Sequence, residues 1–255
     1  MILWDYHVHT TFSDGENTME EMVAAALEKG MTAIGFADHS YTFFDRSYCR
    51  KPDDRTRYFG EISRLRETYG KKIRILAGVE QDLSSRKSTA GYDYAVGSVH
   101  YLCVKGRWFP IDESKRDFET MVNTAFDGDA YAACRAYFKA VRRIAKRDDI
   151  GIVGHFDLIA MFNGDGALFD ERDDRYLSAA KAAARALVAA GKVFEINTRA
   201  LYKGKRSEPY PAKELREYIK EIGGTFLLSS DSHKKEELLL GFPAFEGETD
   251  GRECF

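Results

Sequence analysis

Two histidines flank a single valine near the start of the chain, His7-Val8-His9, inside the apolar run MILWDYHVH, and Asp14 follows shortly after. Residues two apart in an extended strand project from the same face, so both imidazoles point one way. Two neutral imidazoles on one face can grip one metal ion. The remaining histidines, His39, His100, His155 and His233, each stand at or just beyond the end of another apolar run. Carboxylates share these positions: Glu80 ends ILAGVE, and Asp231 precedes His233 in SSDSH. Mixed imidazole and carboxylate ligation suits zinc, manganese, iron or cobalt rather than calcium. The candidates exceed what one ion needs. A bridging carboxylate such as Glu80 could hold two ions, generating a hydroxide nucleophile and clamping the oxygens of a phosphoryl transition state. Asp14 is either a further ligand or part of a tight exit turn, because Asp-Gly is a common turn pair.

These residues need a frame that brings strand ends together. MILWDYHVH, TAIGFADH, IRILAGVE, YAVGSVH, GIVGHF, KVFEIN and TFLLSSDSH are seven strand candidates. Helical patterns lie between most of them. TMEEMVAAALEKG opens with a capping box, Thr18 with Glu21, and stops at Gly30. DRTRYFGEISRLRETYG, ACRAYFKAVRRIAKR and RYLSAAKAAARALVAAG follow, the last closing at Gly191, and PAKELREYIKEIGG is read with Pro211 in its first turn and Gly223 past its end. Strands alternating with helices predict parallel pairing, and near-continuous apolar strands predict a sheet covered on both faces. In a parallel barrel all C-terminal strand ends open on one rim, so six imidazoles converge there. Ser40 to Asp54 and Tyr101 to Asp129 are longer than ordinary connections and are read as irregular loops shaping the site.

At 255 residues, with no linker, repeat or low-complexity segment, residues 1–255 read as one α/β domain. The balance of 38 basic against 41 acidic residues gives no electrostatic case for nucleic acid or anionic membrane, so a small-molecule partner is expected. Cys49, Cys103, Cys134 and Cys254 lack the paired spacing of zinc knuckles or redox dithiols and read as reduced thiols. No basic stretch followed by an apolar signal segment opens the sequence, and no apolar run reaches membrane-spanning length, so a cytoplasmic location is expected. The tail AFEGETDGRECF is acidic and reads as a covering or loosely ordered segment.

HVHTTFSDG, ADHS, GVEQD, GSVHYL, GHFDL and SDSH resemble, in order and across nearly the whole chain, the successive motifs of the PHP (polymerase and histidinol phosphatase) superfamily. YAVGSVHYL followed by WFPID, GHFDLI, EIN and EPYP is most similar to the histidinol-phosphatase branch. The resemblance implies a distorted (β/α)7 TIM-like barrel with a trinuclear site of two to three divalent transition-metal ions (Mn, Fe, Zn or Co). It assigns His7, His9, Glu80 and Asp231 to one ion and Glu80, His100 and His155 to a second. His39 and His233, with Asp14, fall to a third. It further implies hydrolysis of L-histidinol phosphate to L-histidinol and phosphate in histidine biosynthesis. A metal-bridging hydroxide would attack phosphorus in line, and Asp231 or His233 would protonate the leaving alkoxide.

The sequence departs from the branch at two places where relatives often carry arginines: here stand Ala160-Met161-Phe162 and Arg199-Ala200-Leu201-Tyr202-Lys203. Guanidinium forks bind phosphate bidentately, so Arg199 and Lys203, with Lys205 or Arg206, are the candidate replacements. Otherwise the substrate is another phosphorylated metabolite or nucleotide. Some members also carry a histidine just after the first motif, where Gly15 stands. Amidohydrolase-like barrels share the first-strand histidine pair and a last-strand aspartate, but they bridge their metals with lysine where this chain has Glu80.

Overall fold

The computed structural model describes residues 1–249 and 251. Seven strands run parallel in one sheet: β1 (Trp4–Val8), β2 (Ala33–Phe36), β3 (Arg74–Asp82), β4 (Tyr94–Ser98), β7 (Ile152–Val153), β8 (Val193–Asn197) and β9 (Thr225–Ser229). They coincide with the seven expected segments, and the sheet curls into a nearly closed barrel. No ladder joins β9 to β1. The seam is bridged instead at Val8 and Ser232, where His9 N donates to Ser232 O at 2.9 Å. Just below, the buried Asp5 carboxylate accepts from Ser230 N at 3.3 Å, from Ser230 Oγ and from His7 N at 3.1 Å.

Register places Gly78 beside Tyr94 and Glu80 beside Val96, so Gly78, Glu80, Tyr94 and Val96 share the inner face. The Tyr94 ring fills the barrel below the strand ends, and its hydroxyl donates to Tyr6 O at 2.6 Å. Gly35 and Gly78 make this possible: a Cβ at either would fall 2.3 or 2.2 Å from Tyr94. The opposite strand faces pack on helices. α1 (Met19–Glu28) carries the expected Thr18–Glu21 capping box. α2 (Arg55–Tyr69) buries Tyr58, Ile62 and Leu65, one stripe at helical spacing. Burying each such side chain contributes about 1.5–3 kcal/mol. α4 (Ala130–Val141), α5 (Asp174–Ala189) and α7 (Lys213–Glu221) cover the other half of the barrel.

Three expectations need correction. Tyr101 to Asp129 is not irregular: it holds an antiparallel hairpin, β5 (Tyr101–Val104) with β6 (Arg107–Pro110), and a helix, α3 (Lys115–Ala125). Lys105 and Gly106 turn the hairpin with positive φ. The stretch Arg199 to Arg206, which is not among the expected helices, opens with a short one, α6 (Arg199–Tyr202). Pro211 precedes α7 instead of sitting in its first turn, because Ala212 is the N-cap. The tail covers the core as far as it is described: Glu246 accepts from Ile2 N at 2.9 Å and Glu248 from Arg216 Nε at 2.9 Å. Cys49, Cys103 and Cys134 are unpaired, while Cys254 lies outside the described residues. Among the described residues no helix is long and apolar enough to cross a membrane.

Candidate metal centre

The C-terminal ends of the strands bring five histidines around Glu80 and the sixth, His233, against Asp14 at the edge of the same cluster. Glu80 Oε2 lies 3.3 Å from His7 Nε2, 3.5 Å from His9 Nε2 and 2.8 Å from His39 Nδ1. Its Oε1 lies 3.2 Å from His100 Nε2 and 2.8 Å from His155 Nε2. Asp231 Oδ1 stands 3.1 Å from His9 Nε2 and 3.8 Å from His7 Nε2. Asp14 faces the same cluster, 3.6 Å from His39 Nε2 and 3.2 Å from His233 Nε2. Atoms that could share an ion fall into overlapping sets: His7, His9 and Glu80; His39, Glu80 and His100; and His9, Asp14, His39 and His233.

The Asp14-Gly15 turn is a close one: a Cβ at Gly15 would fall 2.5 Å from Thr10 N, so no side chain fits there. Asp14 is thus both turn residue and rim carboxylate. Asp231 holds its position with φ of 52°, in the left-handed region, and its Oδ2 accepts from Asn197 Nδ2 at 3.1 Å.

Charge within the cluster is self-consistent. Burial alone would protonate Glu80, but His39, His100 and His7 outweigh it and hold the carboxyl well below the usual carboxylate range. Burial also opposes charge on His7, yet Glu195, Asp231 and Glu80 raise its pKa well above the ordinary value. His9 goes the other way: burial, with His233 and His39 as neighbours, pushes it well below the ordinary value and leaves the neutral imidazole that ligation requires.

The residues fit a metal. His7 Nε2, both ring nitrogens of His9, His39 Nδ1, Glu80 Oε2 and His155 Nδ1 are buried with no hydrogen-bond partner. Several of them are within ion-pair distance of each other, so they are close without hydrogen-bond geometry. Buried polar atoms are rarely left so in a folded chain, and the lone pairs of His7, His9, His39 and Glu80 converging on a common space are what a cation resolves; His155 faces Glu80 by Nε2 instead.

Carboxylates that the sequence reading did not select stand behind the imidazoles. Glu195, on β8, takes His7 Nδ1 at 2.6 Å and accepts from His155 N at 3.1 Å. Asp82 lies 3.3 Å from His100 Nδ1 and accepts from His100 N at 3.1 Å. Such partners fix the tautomer and orientation of ligating histidines. Glu195 and Asn197, polar residues two apart in the apolar strand KVFEIN, were the available signal, as was Asp82 two residues beyond Glu80. Glu195→Gln is expected to keep the fold by circular dichroism while weakening metal affinity about 10- to 100-fold. Unchanged affinity in a metal titration would remove Glu195 from this role.

The basic residues read as phosphate grips are placed differently. Arg199 Nη1 donates to Asp231 O at 2.6 Å and meets His233 Nδ1 at 2.5 Å. Lys203 pairs with Glu237, which accepts from His233 N at 2.9 Å. Arg206 pairs with Glu171 at 2.8 Å, and Tyr202 donates to Ser230 O at 2.7 Å. The centre opens into a cavity of about 290 Å³ lined by Asp14, His39, Tyr48, His100, Tyr101, Asp112 and Glu113, which includes neither Arg199 nor Lys203.

The family model for the PHP domain matches residues 5–199. A curated protein of Schizosaccharomyces pombe named "Probable histidinol-phosphatase" is 26% identical over 246 residues, covering 89% of this chain and 78% of that one. Among solved structures, the hisK chain of Listeria monocytogenes superposes with a TM-score of 0.80 at 20% identity, covering 95% of this chain and 99% of that one. Histidinol phosphate phosphatase of Lactococcus lactis, complexed with Zn, L-histidinol and phosphate, has a TM-score of 0.70 at 24% identity, covering 96% and 91%.

Proposed function

This chain belongs to the PHP domain family, and from that premise we propose that it is a metal-dependent phosphomonoesterase that hydrolyses L-histidinol phosphate to L-histidinol and phosphate, a step of histidine biosynthesis. The observation that carries the reading is the convergence of five imidazoles on Glu80, with His233 beside Asp14 and unpartnered ring nitrogens on His7, His9, His39 and His155. The relatives named for histidinol phosphatase activity support the substrate.

His7, His9, Glu80 and Asp231 would hold one ion, Glu80, His100 and His155 a second, and Asp14, His39 and His233 a third. Two to three divalent ions of Mn, Fe, Zn or Co would supply water activation and neutralise the phosphate oxygens. The chain supplies orientation: Glu195 turns His7, Asp82 turns His100, and Asn197 holds Asp231. Of the two candidates for protonating the leaving alkoxide, His233 would serve only in the state where its Nε2 carries a hydrogen and does not hold the third ion. Asp231 resists protonation, because although burial opposes its charge, His7 and Arg199 hold it well below the carboxylate range. His233 Nδ1 faces both Arg199 Nη1 and Asp231 O at 3.1 Å. With its hydrogen given to Asp231 O, Nε2 is a lone pair for ligation; with Arg199 donating to Nδ1, the hydrogen sits on Nε2, facing Asp14. Arg199 and Lys203 therefore support phosphate turnover by positioning His233 and by their positive field.

The cavity mouth fits an organic cation. Asp112 and Glu113 line it beside the rings of Tyr48 and Tyr101, and burial together with Asp112, Asp45 and Asp117 raises the Glu113 pKa, a sign of crowded negative charge. An amine or imidazolium reduces that repulsion. The test is phosphate release from L-histidinol phosphate beside sugar phosphates, nucleotides and a neutral aryl phosphate, with and without chelator. Chelator-sensitive preference for histidinol phosphate is expected. The paired change Asp112→Asn and Glu113→Gln is expected to raise its KM about tenfold and leave the aryl phosphate little affected. Preference for another ester would keep the metal centre and replace the substrate, a reading favoured by Ala160 and Tyr202 at the arginine positions.

A further inference from the structure

A second cavity lies outside the barrel. Val79 and Gln81, which flank Glu80 on β3, point away from the metal centre and form one wall of a space of about 50 Å³. Arg50, Lys51, Arg55 and Lys87 line it with Ser40 and Ser88, and no carboxylate does. Among the described residues none of these four cations has a carboxylate within ion-pair distance. The chain as a whole carries more acidic than basic residues, 41 to 38, so four cations around one space are not a reflection of overall composition.

Arg50 decides what the space is for. The residue is only 7% exposed, and its Nε and Nη1 have no hydrogen-bond partner. The guanidinium packs over the rings of Tyr58 at 4.5 Å and Tyr92 at 5.2 Å, and Tyr92 also hydrogen-bonds it, which leaves Nε and Nη1 unsatisfied. The carboxylate whose charge reaches it is Asp38, and Asp38 is already engaged by Thr10 N at 2.8 Å, Thr10 Oγ1 at 2.8 Å and Ser13 Oγ at 2.5 Å. A buried guanidinium with two unpartnered nitrogens is costly. Those two nitrogens are themselves closed to the space, so an oxyanion, the partner that a guanidinium fork fits, would meet Arg50 by its remaining edge.

We propose that this cavity is a binding site for a small tetrahedral oxyanion of the phosphate type, separate from the metal centre. A space of about 50 Å³ exceeds the roughly 10–15 Å³ that one water requires and suits one such ion, not a nucleotide. The site is joined to the metal centre through the backbone. Arg50 N donates to His39 O at 3.1 Å, and Ser40 Oγ accepts from Asp82 N at 3.1 Å. An anion seated there would brace the segment that carries Tyr48, whose ring lies 4.9 Å from that of His39.

The test is calorimetric titration of inorganic phosphate, at ionic strength matched with chloride, into the full chain and into His9→Gln, which disables the metal centre as a competing phosphate site. Saturable binding is expected to persist in His9→Gln. In that background, Lys51→Gln with Lys87→Gln, both exposed and foldable, is expected to weaken phosphate at least about tenfold, and Arg50→Gln to abolish it. If Arg50→Gln does not fold, the lysine pair decides. Loss of all phosphate binding in His9→Gln, or undiminished binding after both lysine changes, overturns the proposal.

Discussion

Glu80→Gln is expected to reduce phosphate release by about a thousandfold or more while the barrel remains folded. The change keeps the side chain's volume and removes its charge. Five imidazole nitrogens now lie within 3.5 Å of the two carboxylate oxygens. An amide offers one weaker acceptor and, at its other end, an NH2 with no lone pair for a cation, so neither orientation can serve both groups as ligand. The raised pKa values of His7, His39 and His100 each include Glu80 among their causes, so these histidines become easier to deprotonate even as the site loses the carboxylate that its metal sets share. Metal content by atomic emission and turnover on histidinol phosphate check this together. Wild-type turnover in the variant would sink the proposed centre.

Asp5→Ala is expected to destabilise the fold by about 3 kcal/mol, because it leaves buried donors without an acceptor. For a domain of this size that corresponds to a fall in Tm of roughly 6–12 °C. Ser230 N, Ser230 Oγ and His7 N all lose their partner at the seam, where no strand ladder compensates. Burial raises the Asp5 pKa to about 6 despite the hydrogen bonds from Ser230 and His7. The carboxyl is therefore easier to protonate than an exposed one, and its accepting oxygens matter more than its charge. Asp5→Asn, which retains one acceptor oxygen, should lose less. Equal Tm in wild type and Asp5→Ala by scanning calorimetry would show that the seam is held by other contacts.

The barrel and the ring of histidines were legible in the sequence because both signals are local. An apolar run reveals a strand whatever it pairs with, and histidine is scarce enough here, six in 255 residues, that its repeated placement at strand ends stands out. Glu195, Asp82 and Glu237 were not legible as site residues. Carboxylates are abundant in this chain, and what separates these three is their partner, a nitrogen of His7, His100 or His233 contributed from elsewhere in the sequence or buried beside them. The basic stretch after Asn197 misled for the same reason. Lys203 and Arg206 look free in sequence, yet Glu237 and Glu171 reach them only once the chain is folded. The β5–β6 hairpin was missed because Val104 to Arg107 turns through Lys105, a residue whose positive φ gives no compositional warning.

The unlatched seam has one more consequence. His7 stands on the first strand, His9 just past its end and Asp231 just past the last strand, on opposite sides of the gap in the barrel wall. A cation shared by these three side chains would work as a clasp between the two ends of the chain. Amide hydrogens of β1 and β9 should then exchange with solvent as one unit, at a rate governed by how often that clasp is undone, while those of β3 and β4, paired over five residues, follow the slower opening of the whole wall.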